Sequence, residues 1–511
     1  MFSGVNLTKK ILFYMNSDIS KFGVLKKIQE NLPDVELYGI FDLTDKPRTF
    51  FEKQTFVHFK KIWFYHDFIK ADSKYEMDYL INFEKKYSIS LWDMAYGDRI
   101  FLPFNEFYTF KPEQILSILY SGCKFIENII EEIKPDIYLT SAIHFHHELL
   151  LFNICKSKSI LPLILRATRF ADKAMISEHY EQINYQNHKS VKSRSLQELL
   201  SLKENYHIFK KSIIYRDTFL KSKKNLIKAA INFILKNNNS NLKSHYTYFG
   251  RKKINVVLNY IYDKIRVFRR KKFIDKTLVR APTFNENYIF FPLHQEEEYS
   301  LLTLAPYYTD QINVIKNIAK SIPIDFKLYV KEHPIQEIRS WRKISTYKEL
   351  INLPNVKLIH PDVSSTELIK NCKMVITISG TSAFEASFYN KPSIMFSDTM
   401  FSGLSWITRL KSFENLNQII SNSFKNKVDV NELNNYVDFI FENSFDHDDD
   451  NFSNASQEIF HNGGFLVDNE ITNNQMNKFL ETFDQQFNLL SKEFLKKILQ
   501  YFNNKISENI K

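Results

Sequence analysis

Short apolar runs recur along the chain, with polar stretches of helical length between them. In the first third, Ile11–Met15, Val35–Ile40, Lys61–Phe64, Asp136–Thr140 and Leu161–Arg166 read as strands. Pro112–Ile133 keeps apolar residues at helical spacing behind a proline at its first turn, and reads as a long helix. Buried strands alternating with helices predict a parallel sheet covered on both faces.

The pattern is clearest over residues 286–400. Strand Asn287–Leu293 is followed by helix Thr309–Ser321, strand Asp325–Glu332, helix Gln336–Asn352, strand Val356–His360, helix Thr366–Cys372 and strand Met374–Ser379. A short helix from Ala383 and strand Ser393–Phe396 complete the series. Right-handed crossovers make this a second parallel sheet. The expected fold is therefore α/β, with two Rossmann-like parallel-sheet domains facing a cleft, at 1–180 and 286–430. A basic helical insert or linker at 181–285 and a helical region at 431–511 complete the expected organisation. Open parallel sheets bind ligands beyond the carboxyl ends of their strands.

Composition removes several functions. The chain has 511 residues, 44% hydrophobic and 25% charged, and no apolar run reaches the ~18 residues that would span a bilayer. Its first residues lack the apolar core of a secretory signal. Cys123, Cys155 and Cys372 lie far apart and build neither a disulfide framework nor a zinc site. A cytoplasmic protein is expected. Only ten residues are glycine, and neither a G-x-G-x-x-G, a P-loop nor a G-x-S-x-G is present. Dehydrogenase, nucleotide-hydrolysing and serine-hydrolase functions lose their usual signatures.

The net charge of +11 is concentrated. Residues 210–280 hold 20 Lys/Arg against Asp217, Asp263 and Asp275, a local +17, whereas the rest of the chain carries −6. Leu226–Leu235 and Ile254–Ile261 alternate there with Arg251-Lys252-Lys253 and Arg269-Arg270-Lys271-Lys272. Amphipathic basic helices fit an anionic membrane surface. A solvated linker is the plain alternative. Nucleic acid is not the expected partner, because no nucleic-acid module accompanies the charge.

Candidate chemistry gathers at the carboxyl ends of the second-half strands: His294, Lys331, His333-Pro334, His360-Pro361, Ser379-Gly380-Thr381-Ser382 and Ser397-Asp398. The loop Ser379–Ser382 enters a helix N-terminus, where free amides and the helix dipole favour phosphate. Glu385 is either a ligand or, with Ser382, half of a capping box. Lys331 and His333 share one side of their strand and Glu332 takes the other. His360 reads mainly as a strand end before a Ser364 cap. In the first half, Asp93, Asp98 and His144 are competing general bases, with His146, His147 and Glu148 beside the last. Arg166 and Arg169 end a strand and suit an acidic ligand. Asp446-His447-Asp448 reads as a solvated loop.

Tyr288–Gln295, Ala305–Gln311, Leu328–Pro334 and Val375–Ala386, with Lys391-Pro392 after them, resemble bacterial capsular and surface-polysaccharide biosynthesis proteins. These are GT-B-type glycosyltransferases that include capsule Kdo transferases. The pair His333-Pro334 is similar to that of bacterial sialyltransferases. The resemblance implies a nucleotide-sugar on the second domain, with His333 and the Ser379–Ser382 loop on its phosphate and Glu385 on its ribose. It also implies metal-independent catalysis without a cofactor, and a first-domain base that takes the acceptor's proton. Glu296-Glu297-Glu298 stands where the family leads one to expect a proline, and the basic insert is longer than expected. The expected function is transfer of a sugar, CMP-activated donors among those considered, to a glycan or lipid-linked acceptor at the inner membrane face. A nucleotide-sugar 2-epimerase, a polyol-phosphate transferase and a non-catalytic glycan- or lipid-binding subunit remain as alternatives.

Overall fold

The computed structural model describes all residues except 1–8, 102–103, 141–142, 184, 186–187, 191, 205–221, 237–239 and 511, and the side chains of 236 and 506–510. Residues 210–221 of the basic segment, and most of the asparagine-rich loop that follows, lie outside the described residues.

Two sheets organise the chain. In the first, β1 (Lys9–Met15), β2 (Val35–Phe41), β3 (Lys61–Phe64), β4 (Ile137–Thr140) and β5 (Leu161–Ala167) pair in parallel in the order β3-β2-β1-β4-β5. Beyond β5 the sheet changes direction. β6 (Lys173–Ser177) runs antiparallel to β5, and the short strand Phe445–Asp446 runs antiparallel to β6. Asp446-His447-Asp448 is thus an edge strand and a helix start, not the solvated loop expected. Asp446 pairs with Lys173 at 2.7 Å, Asp448 caps the next helix, and the His447 ring is buried against Gln486. An acidic composition hid this role, because the partners are far away in sequence.

The second sheet contains β7 (Tyr288–Pro292), β8 (Lys327–Lys331), β9 (Val356–Ile359), β10 (Met374–Thr377), β11 (Ser393–Met395) and β12 (Ile407–Arg409), parallel throughout in the order β9-β8-β7-β10-β11-β12. Strand order therefore reverses between β7 and β10, as it does between β1 and β4 in the first sheet. The GT-B-like expectation of two Rossmann-like domains is met.

The helix expected over Gln336–Asn352 is broken. A 3-10 turn, Pro334–Arg339, is followed by Ser340 and Trp341 at positive φ and then by helix Ile344–Ile351. Burial of Trp341 and the pull of Glu332 on Arg342, whose Nε donates at 2.9 Å, outweigh the local helical pattern. Residues from Phe445 onwards return to the first domain. Phe487, Leu490, Phe494 and Ile498 of the last helix share a core with Phe13, Phe22 and Ile28. Gly23 makes that approach possible, since a Cβ there would meet the Phe487 ring at 2.5 Å. The two domains also share a core, in which Phe170 and Met175 of the first pack with Phe384, Phe388 and Trp406 of the second and with Tyr436.

Candidate functional site

A cavity of about 440 Å³ opens beside the ends of β7, β8 and β10 and reaches across to the first domain at Arg169 and Phe170. Its wall is built by strand exits, for the reason the fold suggests: each parallel strand delivers its last side chains to the same edge.

β8 supplies Lys331 and, just beyond, His333. Lys331 is buried, and burial brings its ammonium down to about 8, with Glu332, Asp362 and Glu385 opposing the shift. His333 caps the 3-10 turn after it, its Nδ1 accepting from the Ile335 amide at 3.3 Å. A neutral ring with Nδ1 as acceptor carries its proton on Nε2, so the free end is a donor. Burial lowers its pKa and keeps the ring neutral. The Glu332 carboxylate is wholly buried and accepts from Arg342 Nε at 2.9 Å, Tyr347 OH at 2.7 Å and the His333 amide at 2.6 Å. The expected division of sides along β8 is what these contacts show. Pro334 also lines the cavity.

The loop after β10 divides into two halves. Ser379 donates its amide to His294 Nε2 at 3.2 Å and its hydroxyl to the Ser300 carbonyl at 2.5 Å. The Gly380 amide is taken by Thr377 Oγ1 at 3.2 Å. His294, Ser379 and Gly380 therefore brace the loop, and none of the three lines the cavity. A Cβ on Gly380 would lie 2.6 Å from Thr377 Oγ1, so the internal contact already requires glycine there. Thr381 and Ser382 do face the cavity, and as the first residues of helix Ser382–Ser387 their amides have no intrahelical acceptor.

The capping box also differs from expectation. Thr381, not Ser382, is the N-cap, and its hydroxyl bonds Glu385 Oε1 at 3.2 Å. Glu385 Oε2 lies 3.7 Å from Lys203 Nζ. Lys203 was not anticipated. It reaches the cavity from helix Leu196–Glu204, its ammonium 4.8 Å from the Tyr389 ring centre, and burial lowers its pKa. The aromatic Phe384, Phe388 and Tyr389 were missed as lining residues as well, because a stripe of aromatics at helical spacing reads first as core.

The first domain contributes unevenly. Arg169, with positive φ, lines the cavity. Arg166 instead donates to the carbonyls of His179 and Glu181 at 2.7 and 3.2 Å, bracing the chain after β6. Asp98 is completely buried and bonds His146 Nδ1 at 2.7 Å and the His146 amide at 2.9 Å, so it cannot meet an acceptor. His147 likewise turns inward, to Tyr14 OH at 2.6 Å. Neither Asp93 nor His144 lines the cavity. Asp93 is half-buried at helix Leu91–Tyr96, its carboxyl raised by burial and without a hydrogen-bond partner among the described residues. The His144 ring is open to the cleft and sits edge-on to Tyr299 of the second domain at 5.9 Å. Desolvation between the domains and then the Arg99 charge lower its pKa, so the ring is neutral at pH 7. His360 is buried against Asp275 at 3.1 Å and ends β9 as expected.

Residues 183–428 match the family described as capsule polysaccharide biosynthesis protein. Over this span the chain is similar to capsule polysaccharide biosynthesis proteins. The match covers just under half of the chain, includes the whole second sheet, and bears out the resemblance carried by Tyr288–Gln295, Leu328–Pro334 and Val375–Ala386. No curated protein matches at a significant level. Among solved structures, the KpsC beta Kdo 2,7 transferase of Thermosulfurimonas dismutans is similar at 16% identity, over 61% of this chain and 79% of that one, with a TM-score of 0.31. The UDP-GlcNAc 2-epimerase of Neisseria meningitidis bound to UDP-GlcNAc is similar at 13% identity, over 85% and 98%, with a TM-score of 0.27. The UDP-GlcNAc 2-epimerase of Methanocaldococcus jannaschii is similar at 14% identity, over 82% and 93%, with a TM-score of 0.23. At these TM-scores none of them bears on activity.

Proposed function

We propose that the chain is a glycosyltransferase of capsule polysaccharide biosynthesis, which holds a nucleotide-activated sugar in the cavity between its domains. The observation that carries this reading is the convergence of Lys331, His333, Arg169 and the opening residues Thr381 and Ser382 of a helix on one 440 Å³ cavity. Ammonium, guanidinium, imidazole N–H and first-turn amides are all donors suited to phosphate oxygens. They favour the charge that grows on a departing phosphate, which lowers the barrier to sugar transfer.

Tyr389, partly exposed, offers apolar and stacking surface for the base, and Glu385, held by Thr381 and Lys203, accepts from ribose hydroxyls in this reading. Across the cleft, Asp93 or His144 takes the proton of the acceptor hydroxyl. Burial raises the Asp93 carboxyl and lowers the His144 imidazole, so each moves away from its ordinary value towards the other.

The test is release of free nucleotide from CMP-, UDP- and GDP-linked sugars in the presence of capsule oligosaccharide. Release from one donor class, dependent on the oligosaccharide, supports the transferase. Conversion of a UDP-sugar to its 2-epimer without acceptor, or no turnover of any donor, contradicts it.

A further inference from the structure

The helix Lys253–Thr277 is built inside out. Its polar side is the one that meets the protein. Asn259 donates to Glu106 at 2.8 Å, Arg266 pairs with the same carboxylate at 2.8 Å, and Arg270 donates to the Ser340 and Trp341 carbonyls at 2.9 and 2.7 Å. Asp263 holds Arg266 at 3.0 Å and accepts from the Ser340 hydroxyl. Glu106 belongs to the first domain and Ser340 to the second, so this face straps the two together. Val267, Phe273 and Ile274 add apolar contact to the second domain only towards the helix's end.

The opposite face is apolar and open. Ile254, Leu258, Ile261, Ile265 and Phe268 recur at spacings of three and four residues, which places them on one stripe. All are exposed, Phe268 to 70%. A second stripe, Ile227, Ile231, Ile234 and Leu235, is exposed on helix Lys223–Lys236, with Leu235 at 75%. Lys253 Nζ donates to the Ile234 carbonyl at 2.8 Å and ties the two helices together. Lys224, Lys228, Lys264, Arg269 and Lys272 are exposed on the same two helices. The acids between 223 and 277 are Asp263, occupied as above, and Asp275, which pairs with Arg280 and His360.

An apolar stripe edged by bases needs a partner that is oily within and negative at its surface. The geometry points to an anionic lipid surface, on which these two helices lie flat with the stripes among the acyl chains and the bases at the headgroups. No described helix is long and apolar enough to cross a membrane, so the contact is interfacial. A second copy of the chain would cover the stripes but set one basic rim against another. Nucleic acid would match the charge and leave the stripes in water. This inference does not depend on the proposed transferase activity.

The test is flotation of the full chain with vesicles of phosphatidylcholine alone or with about 30% phosphatidylglycerol. Wild type is expected to float with the anionic vesicles only. Ile261→Asp/Phe268→Asp should weaken partition at least about tenfold, and Lys264→Glu/Arg269→Glu should do the same. All four positions are exposed, so the thermal midpoint should not move, and an unchanged melt certifies the variants. Three results would overturn the proposal. The wild type floats no better with anionic than with neutral vesicles. The apolar variants float as well as wild type. Light scattering shows a wild-type dimer that the apolar variants dissolve, without flotation.

Discussion

His294 Nε2 accepts the Ser379 amide at 3.2 Å and so joins the ends of β7 and β10 at the point where the strand order of the second sheet reverses. That crevice is where an open parallel sheet ordinarily receives a ligand. Here an imidazole fills it. Thr381 and Ser382 are thereby presented to the cavity beside β8. Burial holds the ring's pKa down to about 4, which keeps Nε2 an acceptor at neutral pH. His294→Ala should strand the amide and leave a void, costing about 2–4 kcal/mol of stability and loosening the Ser379–Ser382 loop. Chemical denaturation checks the first effect and nucleotide titration the second. Unchanged stability with unchanged affinity would remove His294 from the account.

His333 performs two separable tasks, capping the turn with Nδ1 and offering Nε2–H to the cavity. His333→Ala should lose both, with about 1 kcal/mol of stability and about 100-fold or more in turnover. His333→Asn can keep the cap but not reach as far. It should restore the melting temperature and leave turnover low. If Asn restores both, the residue is a structural cap alone.

Lys331, brought down to about 8 by burial, sits close to the working pH. Its charge is present below pH 8 and lost above it, so affinity for a nucleoside diphosphate should fall as pH rises through about 8. Bound phosphate will move that limb upwards. Stability should change in the opposite sense, rising between about 8 and the unfolded value near 10.4, because there the unfolded chain binds more protons. Lys331→Met should make both slopes shallower by this contribution, leaving that of Lys203, which paired pH titrations of binding and unfolding would reveal.

Asp93 and Asp98 look alike in the sequence and differ in the fold. Asp98→Asn breaks a buried pair with His146 and should cost about 3–5 kcal/mol. Asp93→Asn removes an unpartnered, half-buried carboxylate and should leave stability unchanged while lowering turnover about 100-fold. Denaturation curves and donor turnover, measured side by side, distinguish them. If Asp93→Asn turns over normally, His144 takes the base's role.

Strand positions were legible because parallel strands buried on both faces are short, apolar and separated by polar helices. β7 to β11 lie where the pattern puts them. Lys331, His333, Thr381 and Ser382 reach the cavity for the same reason, since the strand exits of the second sheet share one edge, and Arg169 meets them from the end of β5 in the first. What stayed hidden depends on distant partners. Nothing near His294 announces that Ser379, 85 positions later, will consume its ring nitrogen. Nothing near Phe445 announces β6. Lys203 was illegible because a lysine near the end of an ordinary helix carries no local mark of the cavity it enters. The inverted helix Lys253–Thr277 shows the converse: its composition was plain, but which face met the protein was decided by Glu106, Ser340 and Trp341.

The proposed function requires that the cavity bind a nucleotide through phosphate. Calorimetric titration of the full chain with CMP, CDP, UDP and GDP, repeated for Lys331→Met, tests it most directly. Selective binding of one nucleotide is expected, weakened at least about tenfold by the substitution, as loss of a charge-assisted contact requires. No binding of any of the four at millimolar concentration, or binding that Lys331→Met leaves intact, would contradict it.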